Sequence, residues 1–211
     1  EKEGRRTVQS LMATWAVGAL NTNRAVQLSA AGRNFTLKQL PGSGLVGTSL
    51  WDSAITFVRH LDHEVALDSG PLSADHIKQA RVVELGAGCG LAGMAFAAHG
   101  AEVTFTDKPE VMEHCEANVA LNFGDLQEQP QLRFVPFCWG MNPVEAGLEP
   151  PYNIVIATDV IYLQAQVAPL VDAEERALRE LIRAHAANGN ASRSAALKEE
   201  YRVVLAVCAS S

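Results

Sequence analysis

Residues 80–107, "ARVVELGAGCGLAGMAFAAHGAEVTFTD", join an apolar run to glycines at 86, 88 and 90, a second apolar run and a terminal aspartate. A strand that passes through glycines into a helix brings main-chain N–H groups close to a ligand. Gly86 and Gly88 remove side chains where the turn is tight and a ligand must approach the backbone. Asp107 follows about twenty residues on, where an acid ending the next strand accepts hydrogen bonds from ribose hydroxyls. This pattern predicts a nucleoside ligand. It is not the dinucleotide fingerprint, because the third glycine of G-x-G-x-x-G would fall at position 91, which is Leu91. Nor does the following helix carry a lysine or arginine near its start to meet phosphate. The plainer alternative is a tight turn and nothing more, although three alternating glycines then destabilise the chain without a use.

A second constellation is "TDVIY", with Asp159 and Tyr162. An aspartate can hold an amine by charge and hydrogen bond, and a tyrosine can add a ring face or hydroxyl to the same channel. In a sheet of order 3-2-1-4-5 the strand order reverses between the first and fourth strands. The end of the fourth strand then faces the glycine loop across the ligand crevice. The structural alternative makes Asp159 a helix cap and Tyr162 a partly buried ring.

The elements that must position these residues follow from the pattern. "AVQLSAAGRNFTLKQL" over 25–40 reads as two short strands about a turn at Ala31–Asn34. "PGSGLVG" is a glycine-rich connection, and "SLWDSAITFVRHL" sets Trp51, Ala54, Ile55, Val58 and Leu61 on one helical face. "DHEVALDSGPLSADHIKQ" reads as loop with at most one helical turn. Next, "RVVEL", "AEVTFTD", "QLRFVPF", "YNIVIATDV" and "YRVVLAVCAS" read as strands. Helices "LAGMAFAAHG", "KPEVMEHCEANVALN" and "DAEERALRELIRAHAANG" are interleaved with them. In the second helix Pro109 suits the first turn, and Val111, Met112, Cys115 and Val119 share a face. In the third, Asp172 caps the start, and Leu178, Leu181, Ile182 and His185 form the buried stripe. Alternating strands and helices imply right-handed crossovers and a doubly wound, mostly parallel α/β sheet.

The bulk numbers suit that reading. The chain has 211 residues, 48% of them hydrophobic and 19% charged, the balance of a globular protein with a real core. A net charge of −7 argues against binding along a nucleic-acid backbone. The longest apolar run is broken by His99 and Gly100, too soon to cross a bilayer. Cys89, Cys115, Cys138 and Cys208 stand singly, as free thiols do in a reducing compartment, so an intracellular and most simply cytoplasmic location is expected. His60 and His63, one helical turn apart without a nearby third ligand, read as surface residues rather than a metal pair.

"LWDSA", "VVELGAGCGLAGM", "VTFTD", "FCWG" and "ATDVIY" occur here in the order and spacing of a known family. The chain resembles the seven-strand, Rossmann-like (class I) protein methyltransferases with a D-x-x-Y motif, mostly lysine methyltransferases that use S-adenosyl-L-methionine (AdoMet). The likeness covers roughly 25–165 and the strand near 203–207. Glu84, two residues before Gly86, completes the E-x-G-x-G-x-G pattern of AdoMet enzymes. The resemblance implies that Trp51 lies over the cofactor cleft and that Gly86, Ala87 and Gly88 hold the methionine and ribose part through their backbone. It also implies that Asp107 binds the ribose, Trp139 lines the adenine pocket and Ala157 contacts the cofactor from the end of the fourth strand. Trp51 and Trp139 have simpler alternatives as core or anchor residues, and Ala157 as a small packing residue. On this reading residues 1–50 form an N-terminal arm and β-hairpin, and 51–211 an AdoMet-binding domain.

The reaction expected is transfer of a methyl group to a protein lysine amine. That amine has a reference pKa of about 10.4 and must lose its proton first. Desolvation favours the neutral amine and a charged Asp159 opposes that shift, so Asp159 is assigned to orienting it. Two other classes stay open. "PPY" at 150–152 resembles part of the motif of base-modifying methyltransferases, but it precedes the fourth strand instead of following it; small-molecule methylation is the reading that remains on that side. The other is an inactive subunit with a structural role. The family closes its sheet with two more strands, so a fifth strand left at the edge would need another segment or a protein partner to cover it.

Overall fold

The computed structural model describes residues 24–68, 72–149, 152–160, 168–173 and 202–206. An antiparallel hairpin comes first, with β1 (Ala25–Ala30) against β2 (Arg33–Lys38) and Leu28 opposite Phe35. Its turn is only Ala31 and Gly32, at φ 52° and 67°. Two left-handed residues twist the chain the way paired strands need, so the second strand resumes at Arg33 instead of after Asn34.

Helix α1 (Asp52–Leu67) carries Ala54, Ile55, Val58 and Leu61 inward, as its spacing predicts. It also runs through "DHEVAL", where the polar pattern predicts a loop. Leu61 and Val65 prolong the apolar stripe, while the polar residues between them occupy the outer face. The short α2 (Ala74–Lys78) precedes the sheet.

Five parallel strands follow: β3 (Arg81–Leu85), β4 (Glu102–Asp107), β5 (Leu132–Pro136), β6 (Ile154–Thr158) and β7 (Arg202–Ala206). Their spatial order is β5-β4-β3-β6-β7, the expected 3-2-1-4-5. Two helices, α3 (Leu91–Ala98) and α4 (Pro109–Phe123), connect the first three strands. Alternate residues of β3 to β6 feed two cores. Val82, Val103, Phe105 and Ile156 pack with α1, α3 and α4, and Val83, Leu85, Val135 and Val155 pack with Phe137, Tyr152 and Leu170 on the other face.

Val26, Phe35 and Leu37 of the hairpin belong to the first of these cores, so residues 25–38 fold onto the sheet layer instead of standing apart. Asn118 and Asn122, one turn apart on α4, hold the hairpin there. Asn118 accepts from Lys38 N at 2.8 Å and donates to Lys38 O at 3.1 Å. Asn122 does the same to Thr36 at 2.8 and 2.9 Å. The two amides copy the donor–acceptor pattern of a neighbouring strand, which covers the free side of β2.

Residues 168–173 are already helical, so Asp172 stands inside a helix and not at the cap expected for it. Tyr162, Cys208, the stripe of Leu178, Leu181, Ile182 and His185, and the arm before residue 24 lie outside the described residues.

Candidate active site

The switch between β3 and β6 opens into a cavity of about 310 Å³, within the size range of small-molecule sites. Gly86, Ala87 and Gly88 line it after β3, Asp107 at the end of β4, and Asp159 just past β6. Trp51, next to the first turn of α1, and Trp139, after β5, complete the set that the sequence reading nominated. Glu84 and Ala157 are not part of that lining. Each is 1% exposed, Glu84 beneath the glycine loop and Ala157 in the core on the far face of the sheet. Both lie inside their strands under packed neighbours, whereas the cavity is lined by residues at or just past the strand ends, Asp107, Thr158 and Asp159.

The glycine loop is shaped for close approach. Gly88 sits at φ 56°, and a Cβ there would stand 3.0 Å from the Gly47 carbonyl oxygen. Its N–H donates to Asp107 Oδ2 at 2.8 Å, and the Ala87 N–H donates to Thr106 O at 2.8 Å. These two donors therefore serve the fold, where the sequence reading had them facing a ligand. A carboxylate at the end of β4 and a carbonyl of the strand itself are their nearest acceptors, which is why the loop closes on β4.

"PGSGLVG", by its sequence a connection, supplies part of the cavity wall through Gly44, Leu45, Val46 and Gly47. A 3₁₀ turn at Val46–Thr48 is held by Thr48 Oγ1 to Leu45 O at 2.8 Å, and Trp51 Nε1 donates to Val46 O at 3.2 Å. The signal was present in the glycines at 42, 44 and 47 just ahead of a tryptophan. Lys108, Glu110 and Val111, at the start of α4, were also overlooked as lining residues.

Burial sets the electrostatics. It pushes the Glu84 carboxyl up to about 8, against the Gly93 N–H that lowers it; the charge of Asp107 adds to the rise. Burial also raises Asp107, opposed by the N–H groups of Gly88 and Lys108. Asp159, half-buried, is raised by burial and by the like charge of Asp52, with Ser53 acting the other way. Asp159 is also one of three non-glycine residues at positive φ, 56°, among the described residues. Left-handed backbone at a side chain facing a cavity is strain held by the surrounding fold. Cys89 lines the cavity with Sγ 3.7 Å from His114 Nε2, yet burial pushes its thiol to about 12, so it is not an activated nucleophile.

Residues 30–187 match the profile of the lysine methyltransferase family. The chain belongs to that family. It is 31% identical over 119 residues to protein N-lysine methyltransferase METTL21A of Mus musculus, covering 56% of this chain and 50% of that one. It is 28% identical over 134 residues to EEF1A lysine methyltransferase 3 of Mus musculus, 63% of this chain and 52% of the relative. Protein-lysine N-methyltransferase EFM2 of Saccharomyces cerevisiae is 30% identical over 134 residues, 56% of this chain and 30% of EFM2. The chain thus spans about half the length of the first two of these relatives and less of the third. Within this lysine methyltransferase-family chain, Asp107 and Asp159 end the two strands that flank β3, one on either side of the glycine loop.

Proposed function

We propose that the chain binds AdoMet in this cavity and transfers its methyl group to the amine of a protein lysine. The observation that supports the reading most is that Asp107 and Asp159 line one cavity with the glycine loop between them. The residues present suit the cofactor. Asp107 can accept from ribose hydroxyls, and the missing Cβ of Gly88 lets the loop lie against the Gly47 carbonyl oxygen at the cavity wall. With the Ala87 and Gly88 N–H groups already engaged, the loop suits cationic ligand groups better than phosphate. Trp51 and Trp139 supply ring faces for an adenosyl group and a sulfonium.

AdoMet supplies an activated methyl carbon on a sulfonium, so the protein has positioning to do and little covalent chemistry. That carbon would be taken by the amine nitrogen with the C–S electron pair left on sulfur, so the chain's own part is to hold the amine in line. Before that step the lysine ammonium must lose its proton to water, a loss that desolvation in the cavity favours. Asp159 holds and aims the amine; it is not assigned the role of proton acceptor. Tyr162 is proposed as its companion from the D-x-x-Y motif. A reducing intracellular location belongs to the same reading, supported by the free thiols of Cys89, Cys115 and Cys138.

The test combines labelled AdoMet, the protein and a cell extract. Label should enter extract proteins at lysine, and Asp159→Asn should stop transfer while S-adenosylhomocysteine still binds. Binding without any transfer to protein, by the unaltered chain, would favour the inactive subunit, and label in small molecules alone would favour the other alternative.

A further inference from the structure

Gly47 lies in the 3₁₀ turn Val46–Thr48, where the 40–48 segment meets both the glycine loop and α4. A Cβ on Gly47 would stand 2.8 Å from Cγ1 and 3.3 Å from Cγ2 of Val111, in the first turn of α4. It would also stand 3.6 Å from Asp107 Oδ2. Gly47, Gly88, Asp107 and Val111 all line the cavity. Gly47 is not among the glycines at positive φ, so the close approach to Val111, and not backbone freedom, calls for glycine here.

Val111 is poorly placed to yield. A β-branched side chain on a helix has one strongly preferred χ1, and this one is 4% exposed. Its N–H donates to Lys108 O at 2.9 Å, and the Lys108 N–H in turn donates to Asp107 Oδ1 at 2.7 Å. The 40–48 segment is the freer side, with residues 41–44 exposed. It is also closed on itself. Leu40 N donates to Thr48 O at 3.0 Å, the Ser43 and Thr48 hydroxyls lie 2.8 Å apart, and Thr48 Oγ1 donates to Leu45 O at 2.8 Å. A push on Gly47 therefore shifts the segment as a unit.

We infer that Gly47 is a positioning residue: lacking a side chain, it lets the 40–48 segment seat on Val111, and that contact sets the width of the cavity beside Asp107. The inference rests on the cavity being the AdoMet site proposed above, with Asp107 at its ribose end. A methyl group at position 47 drives the turn away from α4 and carries the Val46 carbonyl with it. That carbonyl accepts the Trp51 Nε1–H at 3.2 Å, so the turn and the Trp51 ring are displaced together. Two walls of the cavity then lose their places while the sheet and its cores are left alone.

The experiment compares Gly47→Ala, Val111→Ala and the double variant in the whole chain. Calorimetry reads S-adenosylhomocysteine affinity, and NMR reads hydrogen exchange at the Trp51 indole N–H, its signal identified by Trp51→Phe. Gly47→Ala should weaken binding about tenfold, as overpacking at a stiff contact does. Val111→Ala, which thins the cavity wall, should weaken it about threefold. The double variant should return to the Val111→Ala affinity, where two independent changes would multiply to about thirtyfold. Indole exchange should quicken in Gly47→Ala and return in the double variant. Unchanged affinity in Gly47→Ala overturns the inference, and so does a double variant no better than the product of the two losses. A lower Tm in Gly47→Ala with affinity and indole exchange unmoved would mark Gly47 as packing only, which also overturns it. If the unaltered chain binds no S-adenosylhomocysteine, the function proposed above fails. Indole exchange then still decides the seating of Gly47 on Val111: restored in the double variant it supports the contact, and unrestored it overturns it.

Discussion

Asp107 Oδ2 accepts the Gly88 N–H at 2.8 Å while Oδ1 accepts the Lys108 N–H at 2.7 Å, so one carboxylate ties the glycine loop to the end of β4. Each oxygen keeps a lone pair for a ligand hydroxyl. Asp107→Ala loses the loop anchor and the ribose acceptor together. Its affinity for S-adenosylhomocysteine should fall about 10–100-fold by calorimetry, the value of one or two hydrogen bonds to a charged group. Unchanged affinity would remove Asp107 from the ligand site.

Glu84 and Gly93 form the buried contact beneath that loop. Gly93 N donates to Glu84 Oε2 at 3.0 Å, and a Cβ on Gly93 would come within 2.4 Å of the Phe105 ring and 2.5 Å of the carboxyl. Gly93→Ala must displace an aromatic ring and a buried acid, with no flexible chain end to yield. We expect a loss of about 2–4 kcal/mol and a Tm lower by about 5–12 °C in calorimetry.

The Glu84 carboxyl, at about 8, holds its proton in the folded chain between the unfolded value of 4.5 and that pH. The folded state binds the extra proton, so this group's contribution to stability is complete below 4.5 and is lost as pH rises through 8. Asp107 and Asp159, also raised, act in the same direction. In Glu84→Gln the acceptor for Gly93 stays and the titration goes. Its Tm should fall less than that of the original chain between about pH 5 and 8; parallel curves would show that Glu84 ionises freely.

Asp159 serves two demands, charge toward the cavity and a left-handed backbone. Asparagine meets the second as well as aspartate does, whereas alanine carries the steric penalty of about 1 kcal/mol. Asp159→Asn should therefore match the original Tm and Asp159→Ala should fall below it, with methyl transfer lost in both. Because the charged form is the one required, transfer in the original chain should rise with pH through the raised Asp159 titration, and a rate profile flat across that limb would count against it.

The Asn122 amide is the second rung holding β2, donating to Thr36 O and accepting from Thr36 N. Asn122→Ala leaves both main-chain groups to find water and should cost about 1–3 kcal/mol. Hydrogen exchange at the Thr36 amide should accelerate well ahead of amides in β3. Equal protection in both variants would mean that packing of Phe35 and Leu37 alone seats the hairpin.

Much of this was legible in the chain because the relevant forces are local. Continuous apolar runs broken by glycine and polar residues set β3, β4, β6 and α3 to within a residue or two, and the 3.6-residue period sets α4. The glycines at 86 and 88 and the acid at 107 stood out as a candidate ligand site because three alternating glycines after a buried strand have no use within that segment alone. Asn118 and Asn122 carried no such signal: on a helix they look like surface residues, and only the arrival of β2 turns them into a strand surrogate. The same holds for Gly47, whose carbonyl meets Gly88 across a sequence separation that no periodicity spans.

Sequence alone determined the alternation of buried strands and helices, which follows from local burial and the handedness of crossovers, while the strand order and the Asp159 motif were legible only through the family resemblance. The tertiary structure decided what those groups touch. It directed the Gly88 and Ala87 N–H groups inward to β4, sank Glu84 and Ala157 below the cavity, and raised Glu84, Asp107 and Asp159. Those outcomes depend on how closely separate elements pack and on how much water that packing excludes, quantities that no single segment contains.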